Sequence, residues 1–553
     1  MARRVRSGFL FWVSDTRPFH HGTRSIGPIG RFDRPNGRYS GPVPTLPTPE
    51  PSAPRAGRRE WAALAAVTLA VVLLAVDGTV LALAVPSLTA SLSPSSTQLL
   101  WIGDIYSFAL AGLLVTMGNV ADRIGRRRLL LLGSVGFGIA SAIAAFAPTP
   151  ELLIAARALL GISGATIMPS TLSIIRNLFA DARQRTRAIA VWSAGATAGA
   201  AAGPLIGGFL LEHFWWGSVF LINVPVVLVI VAAGIFLIPE SRNPDPGRID
   251  LVSVALSMAA VIPVVWFVKQ TASDGVSVIG VLVGLVGVIS GVLFARRQRR
   301  LDHPLLDLTL FRQRAFSGAV AANGLAIFAF VGMIFFFSQY LQLVRDLSPL
   351  QAGLVELPAT LASILVIGFV GIIAVRLGRG PAIGAGLAVA GIGLAVIAVG
   401  EAVPGLAVMI AGLVVVGFGS AVAMTVSTDA VMSAVPKERA GAASAISETA
   451  YELGVALGIA VMGSIHAAVY RLRLDLPADA DPAVAAGLRD SLAAGRQLVG
   501  SDSAGAELLE HGRHAFTVAL QATSVAAAVI VLVAAFIAWR TIPADRPTAP
   551  VQH

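Results

Sequence analysis

The chain of 553 residues is 56% hydrophobic and only 13% charged, about half the ~25% charge of soluble domains. A deficit spread over that length excludes an ordinary soluble protein and points to a membrane protein with many spans. The net charge of +10 does not imply nucleic acid, because the arginines gather in short loops, and the lack of cysteine excludes disulfides, thiolate metal sites and a cysteine nucleophile.

Residues 1–57 are rich in Arg, Pro, Gly and Ser, end in "GPVPTLPTPEPSAPRAG", and read as a disordered cytoplasmic tail. "FLFWV" (9–13) is too short for a signal-peptide core. A span needs about 20 apolar residues, and fourteen such runs follow. They lie at 61–85, 98–119, 129–147, 151–172, 187–209, 218–238, 250–268, 276–295, 315–338, 350–375, 381–400, 404–427, 441–466 and 514–539. Loops after even-numbered runs hold twenty Lys and Arg, from Arg123 to Arg439, whereas the short loops after odd-numbered runs hold only Lys269 and Arg345. By the positive-inside rule both termini are expected in the cytoplasm, 541–553 being a second tail. The segment 467–513 is expected as one long extracytoplasmic loop.

Three charges interrupt the early runs: Asp77 in "VVLLAVDGTVLALAVP", Asp104 and Arg157. A charge near the bilayer centre costs roughly 2.5–3.5 kcal/mol on insertion scales. All three count to the outer half of their runs. A carboxylate there can be neutralised by a proton or by an arginine, which makes Asp77 and Asp104, with Arg157, candidate proton-coupling residues. A fixed pair that only joins helices is the plainer alternative. "GNVADRIGRRR" (118–128) places a close-packing Gly118, an Asp at a helix end and then arginines, so that Asp122 and Arg126 could form a charge latch.

That loop resembles the signature of the major facilitator superfamily, through Gly118, Asp122, Arg123, Gly125, Arg126 and Arg127. "RALLGISGATIMPS" (157–170) is similar to its buried-arginine motif, and "GAAAGPLIGG" (199–208) to the antiporter motif of exporters, through Gly199, Gly203, Pro204, Gly207 and Gly208. Asp77, Thr79, Ala84 and Pro86 match a further pattern in run 1. Together with "FWWGSVFLINVP" (214–225) and the stretches at 335–358 and 435–463, they resemble the fourteen-span drug:proton antiporters of the EmrB/QacA type.

The resemblance implies an all-α major facilitator fold of fourteen transmembrane helices. It implies an N-terminal six-helix bundle (58–240), an inserted helix pair with linkers (241–300) and a C-terminal six-helix bundle (301–540). It also implies alternating-access efflux of amphipathic molecules across the cytoplasmic membrane by a monomer, with protons as the energy source and no cofactor. A dedicated exporter of one endogenous metabolite or antibiotic, or an importer, is the alternative. The sequence has no Gly-x4-Gly-Lys-Ser/Thr motif and no zinc or serine-hydrolase signature that would suggest an enzyme. Glu356, Tyr106, Asn323, Gln339 and Gln342 are candidate substrate contacts. Glu448 and Glu452 are expected at a solvated inner end of run 13, near Lys437 and Arg439, and His466 near a membrane edge. "VRLGRGP" (375–381) is a degenerate second copy of the 118–128 loop that lacks its Asp.

Overall fold

The computed structural model describes residues 56–242, 250–301, 304, 306, 308–435, 440–477, 480–499 and 503–544. The helices are α1 (Arg58–Leu92), α2 (Ser96–Ile124), α3 (Arg126–Ala145), α4 (Pro150–Leu178), α5 (Ala182–His213), α6 (Ser218–Leu221) and α7 (Asn223–Leu237). They continue with α8 (Leu251–Asp274), α9 (Val278–Gln298), α10 (Arg314–Leu343), α11 (Pro349–Leu377), α12 (Arg379–Ala402), α13 (Ala407–Ser433) and α14 (Ala440–Arg473). Last come α15 (Pro482–Asp490), α16 (Leu492–Leu498) and α17 (Ser503–Thr541), and a short 3-10 turn covers Leu308–Arg312.

Local chemistry sets the ends. Ser95, Thr149, Asp181, Asp250, Ser277 and Ser348 each accept a first-turn amide, as expected of side chains that satisfy the free N–H groups of a helix start. Two helix pairs join through a single glycine, Gly125 between α2 and α3 (φ +109°) and Gly378 between α11 and α12 (φ +84°). A positive φ is cheap only for glycine. The degenerate loop at 375–381 therefore keeps the joint of its first copy although it has lost the acid.

Thirteen helices among the described residues are long and apolar enough to cross a membrane. The seventh expected run, 250–268, is the helix α8, whose describable apolar part is the shorter Leu251–Val264, so fourteen full spans are not all seen. The run at 218–238 is one of these thirteen spans, Ser218–Leu237, in which α6 and α7 adjoin at Ile222 with its backbone in the helical region (φ −59°, ψ −24°). The expected loop 467–513 is largely helical: α14 runs on to Arg473, α15 and α16 follow, and α17 starts at Ser503. Buried Leu488 and Leu492 let this segment pack as a small cap, and the Tyr470 hydroxyl donates to the Leu488 carbonyl (2.8 Å).

Helices α1 to α7 pack on one another, as do α10 to α14 with α17, while α8 pairs with α9 and also touches α2 and α14. Small residues let backbones approach where apolar side chains alone give little preference in lipid. Gly393 and Gly412 bring α12 and α13 together, and Gly332 and Gly458 do the same for α10 and α14.

Candidate functional site

The apolar run of α1 carries Asp77 with no exposed surface, and Arg157 on α4 is 2% exposed. Arg157 Nη1 donates to Asp77 Oδ2 (3.3 Å), Nε to the Ile102 carbonyl (3.1 Å) and Nη2 to the Gly103 carbonyl (3.3 Å). The guanidinium also lies over the Tyr106 ring, 4.8 Å from its centre. Asn223, the first residue of α7, donates from Nδ2 to Asp77 Oδ1 (2.8 Å) and to Ser141 Oγ (3.1 Å). One buried cluster thus joins α1, α2, α3, α4 and α7. Its charges are compensated, as buried charges must be. Asp104 is fully buried on α2 and close enough to act electrostatically on Arg157. The three sequence-predicted charges therefore come together.

Asn223 went unnoticed in the sequence. Its signal was one amide inside an apolar stretch two residues before Pro225.

The glycine motif of α5 serves two neighbours. Gly199, Gly203 and Gly207, four residues apart on one face, lie along α1 against Val72, Thr79 and Val80. Gly208 instead faces α11, where an added Cβ would come 2.7 Å from Leu350 Cα, and the Pro204 carbonyl faces Gly353. In the 118–128 loop, Gly118 packs on Pro169 of α4. The side chain of Asp122 lies outside the described residues, so the expected latch to Arg126 cannot be placed. The loop is tied instead to the end of α7. Arg127 donates to the Ile235 carbonyl (2.9 Å), and Glu240 accepts from the Arg127 and Arg128 amides (3.2 Å each), capping α3. Arg123 at the end of α2 is exposed.

The remaining candidates scatter. Tyr106 belongs to the Asp77 cluster. Gln339 and Gln342 are buried on α10: Gln339 Nε2 donates to its own helix at Phe335 (3.1 Å), and Gln342 Nε2 reaches across to the Leu83 carbonyl of α1 (3.1 Å). Asn323 is half-buried on α10 beside Gly324, which packs toward the Ala450 carbonyl. Glu356 on α11 is half-buried and accepts from Ser338 Oγ (2.7 Å).

Two expectations change. Glu452 is not at a solvated inner end: it is buried on α14, about 18 Å of helix beyond the start at Ala440, and hydrogen-bonds Ser107 in the middle of α2. Glu448 follows one turn inward and is half-buried, while Lys437 and Arg439 lie outside the described residues. His466 is not at an edge either, but is buried between the rings of Phe336 and Phe516. Glu401, a further buried acid missed in the sequence, holds Ser524 of α17 (2.8 Å). The last residue but one of α12, it ends an apolar run.

Apart from Glu452 with Ser107, contacts between the first and second helix groups gather where α5 and α10 end and α11 begins. Besides Gln342 with Leu83 and Gly208 with Leu350, Glu212 accepts from Ser348 Oγ (3.0 Å). The cap joins both groups, since Asp490 accepts from Ser96 Oγ (3.0 Å) and Arg496 pairs with Asp346 (3.1 Å).

The profile of the Major Facilitator Superfamily matches residues 67–459. The chain is 47% identical over 488 residues to the multidrug efflux pump LfrA of Mycolicibacterium smegmatis, covering 88% of this chain and 97% of that protein. It is 37% identical over 461 residues to the methyl viologen resistance protein SmvA of Salmonella typhimurium, covering 83% and 93%. It is also 32% identical to the tetracenomycin C resistance and export protein of Streptomyces glaucescens, covering 74% and 76%. Among solved structures, a bacterial homologue of the human lysosomal transporter Spinster, inward-facing and unoccupied, shares the fold with a TM-score of 0.62 at 18% identity, covering 90% of this chain and all of that one. The chain is a multi-pass membrane protein and belongs to the Major Facilitator Superfamily, in the group that includes these efflux and resistance proteins.

Proposed function

We propose that this protein exports amphipathic drugs across the cytoplasmic membrane in exchange for protons, as a monomer with both termini in the cytoplasm. The observation that carries the reading is the fully buried Asp77, shared between Arg157 and Asn223. A proton on Asp77 cancels its attraction to Arg157, whose guanidinium keeps the Ile102 and Gly103 carbonyls of α2. The bond from α1 to α4 therefore depends on protonation, while the bond from α4 to α2 does not. Such a group biases two conformations of the same helices by the difference in its contacts. Asp104, close to Arg157, is the second carboxylate able to serve.

In this scheme the bundles 58–240 and 301–540 rock about the contact of α5 with α11, with 241–300 as an inserted pair. The glycine face at 199–207 lets α1 slide on α5, and the tie of the 118–128 loop to α7 holds the inner end. The neighbours' names as efflux pump, resistance protein and export protein support drugs as the cargo and export as the direction. Moving one charge through 100 mV yields about 2.3 kcal/mol, enough for more than a tenfold gradient. The test is dye efflux from energised cells, with and without an uncoupler, for wild type and Asp77→Asn. Uncoupler-sensitive efflux that the variant loses is expected; a variant that exports as well as wild type refutes Asp77 as the coupling group.

A further inference from the structure

Helices α12 and α17 run close together. A Cβ on Gly384 would come 3.1 Å from the Ala535 carbonyl oxygen and 3.2 Å from Trp539 Cβ, and one on Gly391 would come 2.8 Å from Leu532 Cγ. Beside this contact lies a groove of about 390 Å³. Gly384 and Ala388 form its α12 side, Leu532, Phe536 and Trp539 its α17 side, and Arg540, the last lining residue along α17, its end. The α17 wall faces outward: Phe536 and Trp539 are each 61% exposed and Leu532 is 42% exposed.

Arg540 gives this apolar groove its charge. Its guanidinium lies back over a wall residue, 5.2 Å from the centre of the Phe536 ring, and among the described residues it has no carboxylate or hydrogen-bond partner. Asp429, the acid near this end of α13, is held by Arg379 instead (2.7 Å). The backbone that carries Arg540 is fixed. Gly318 of α10 packs on Thr541, and the Gly380 amide donates to the Pro543 carbonyl (3.2 Å). The charge is thus positioned in advance while the five N–H donors of its guanidinium stay open. Such a groove repels a cation and suits an anion with an apolar tail. Trp539 stands at the level of a span where indole rings gather between acyl chains and headgroups.

We infer that this groove binds one anionic phospholipid, with an acyl chain between α12 and α17 and its phosphate on the Arg540 guanidinium. The planar fork of arginine matches two phosphate oxygens. The chain exchanges one apolar surface for another and gains little, so selection rests on the headgroup. That the lipid belongs to the cytoplasmic leaflet follows from the topology proposed above; the site itself does not depend on it, and its test uses no transport.

Trp539 reports the occupant. Its fluorescence is taken as the difference between wild type and Trp539→Phe, in phosphatidylcholine nanodiscs that contain a minor fraction of brominated phosphatidylglycerol or of brominated phosphatidylcholine. Quenching by the brominated phosphatidylglycerol is expected at a mole fraction about fivefold lower, and Arg540→Gln should abolish that preference. Arg300→Gln, which removes an exposed arginine beyond α9, should keep it. Ala388→Phe fills the groove with the charge in place and should weaken quenching by phosphatidylglycerol severalfold. Equal quenching by the two lipids in wild type overturns the site, as does a preference that survives either Arg540→Gln or Ala388→Phe unchanged. A preference lost equally in Arg300→Gln overturns it too, because surface charge alone would then account for the binding.

Discussion

The bond between Asp77 and Arg157 gives the sharpest prediction. Breaking a buried ion pair from one side typically costs about 3–5 kcal/mol, because the other charge is left uncompensated. In Asp77→Asn the amide oxygen can still accept from Asn223, and Arg157 keeps two carbonyls and the Tyr106 ring. The loss should therefore fall at the low end, about 3 kcal/mol. Arg157→Met removes those α2 bonds as well and should cost about 4 kcal/mol. In the double variant neither charge remains, so its loss should be smaller than the sum of the singles by about 1–3 kcal/mol. The measurement is reversible or kinetic unfolding of the four proteins in detergent, paired with proton-driven efflux in vesicles. Stability partly recovered with transport still lost is the expected pattern. Losses that add to within about 0.5 kcal/mol would refute a direct pair. Transport restored along with stability would reduce the pair to a structural tie.

Further predictions follow from single contacts. Gly203→Ala places a methyl against the Thr79 hydroxyl, so efflux should fall severalfold and Thr79→Ala should restore most of it, read as initial dye-efflux rates. Gly353→Val drives a side chain into the Pro204 carbonyl at the outer contact; a reporter Ser338→Cys beneath it should then be labelled from outside faster than in the glycine parent. Glu240→Ala removes the cap on α3 and should cost about 1 kcal/mol of stability, measured by thermal shift. Outside the spans, the paired donors of Arg297 hold the Asp250 carboxyl well below its ordinary range. A depressed carboxylate contributes stability that is present above the unfolded value and lost as pH falls through the folded one. Asp250→Asn should thus lower the melting temperature at pH 7, and the gap to wild type should narrow only below about pH 4.

Much of this protein was legible as a string. Apolar runs of about 20 residues, and the one-sided distribution of arginine between them, are local properties that membrane insertion reads directly. The motif glycines at 199, 203 and 207 were named through their resemblance to the antiporter motif, and their spacing of four places them on one face. Where local counting replaced three-dimensional placement, it slipped. Glu452 looked peripheral although it stands eleven residues into its run of 441–466, and only packing shows that it meets Ser107 in the middle of α2. Asn223 looked like one polar residue in an apolar run, and only packing shows that it meets Asp77.

Sequence alone determined that these helices form and where most of the apolar runs lie, because each follows from the composition of a short window. Partners were decided only by the tertiary structure. Asp77, Arg157 and Asn223 are separated by 80 and 146 residues of chain, and no periodicity specifies which buried amide will meet which acid. The same holds for Gly208, which does not share the α1 face of Gly199, Gly203 and Gly207. Packing instead set it on α11, since the face it occupies is turned toward the other half of the molecule.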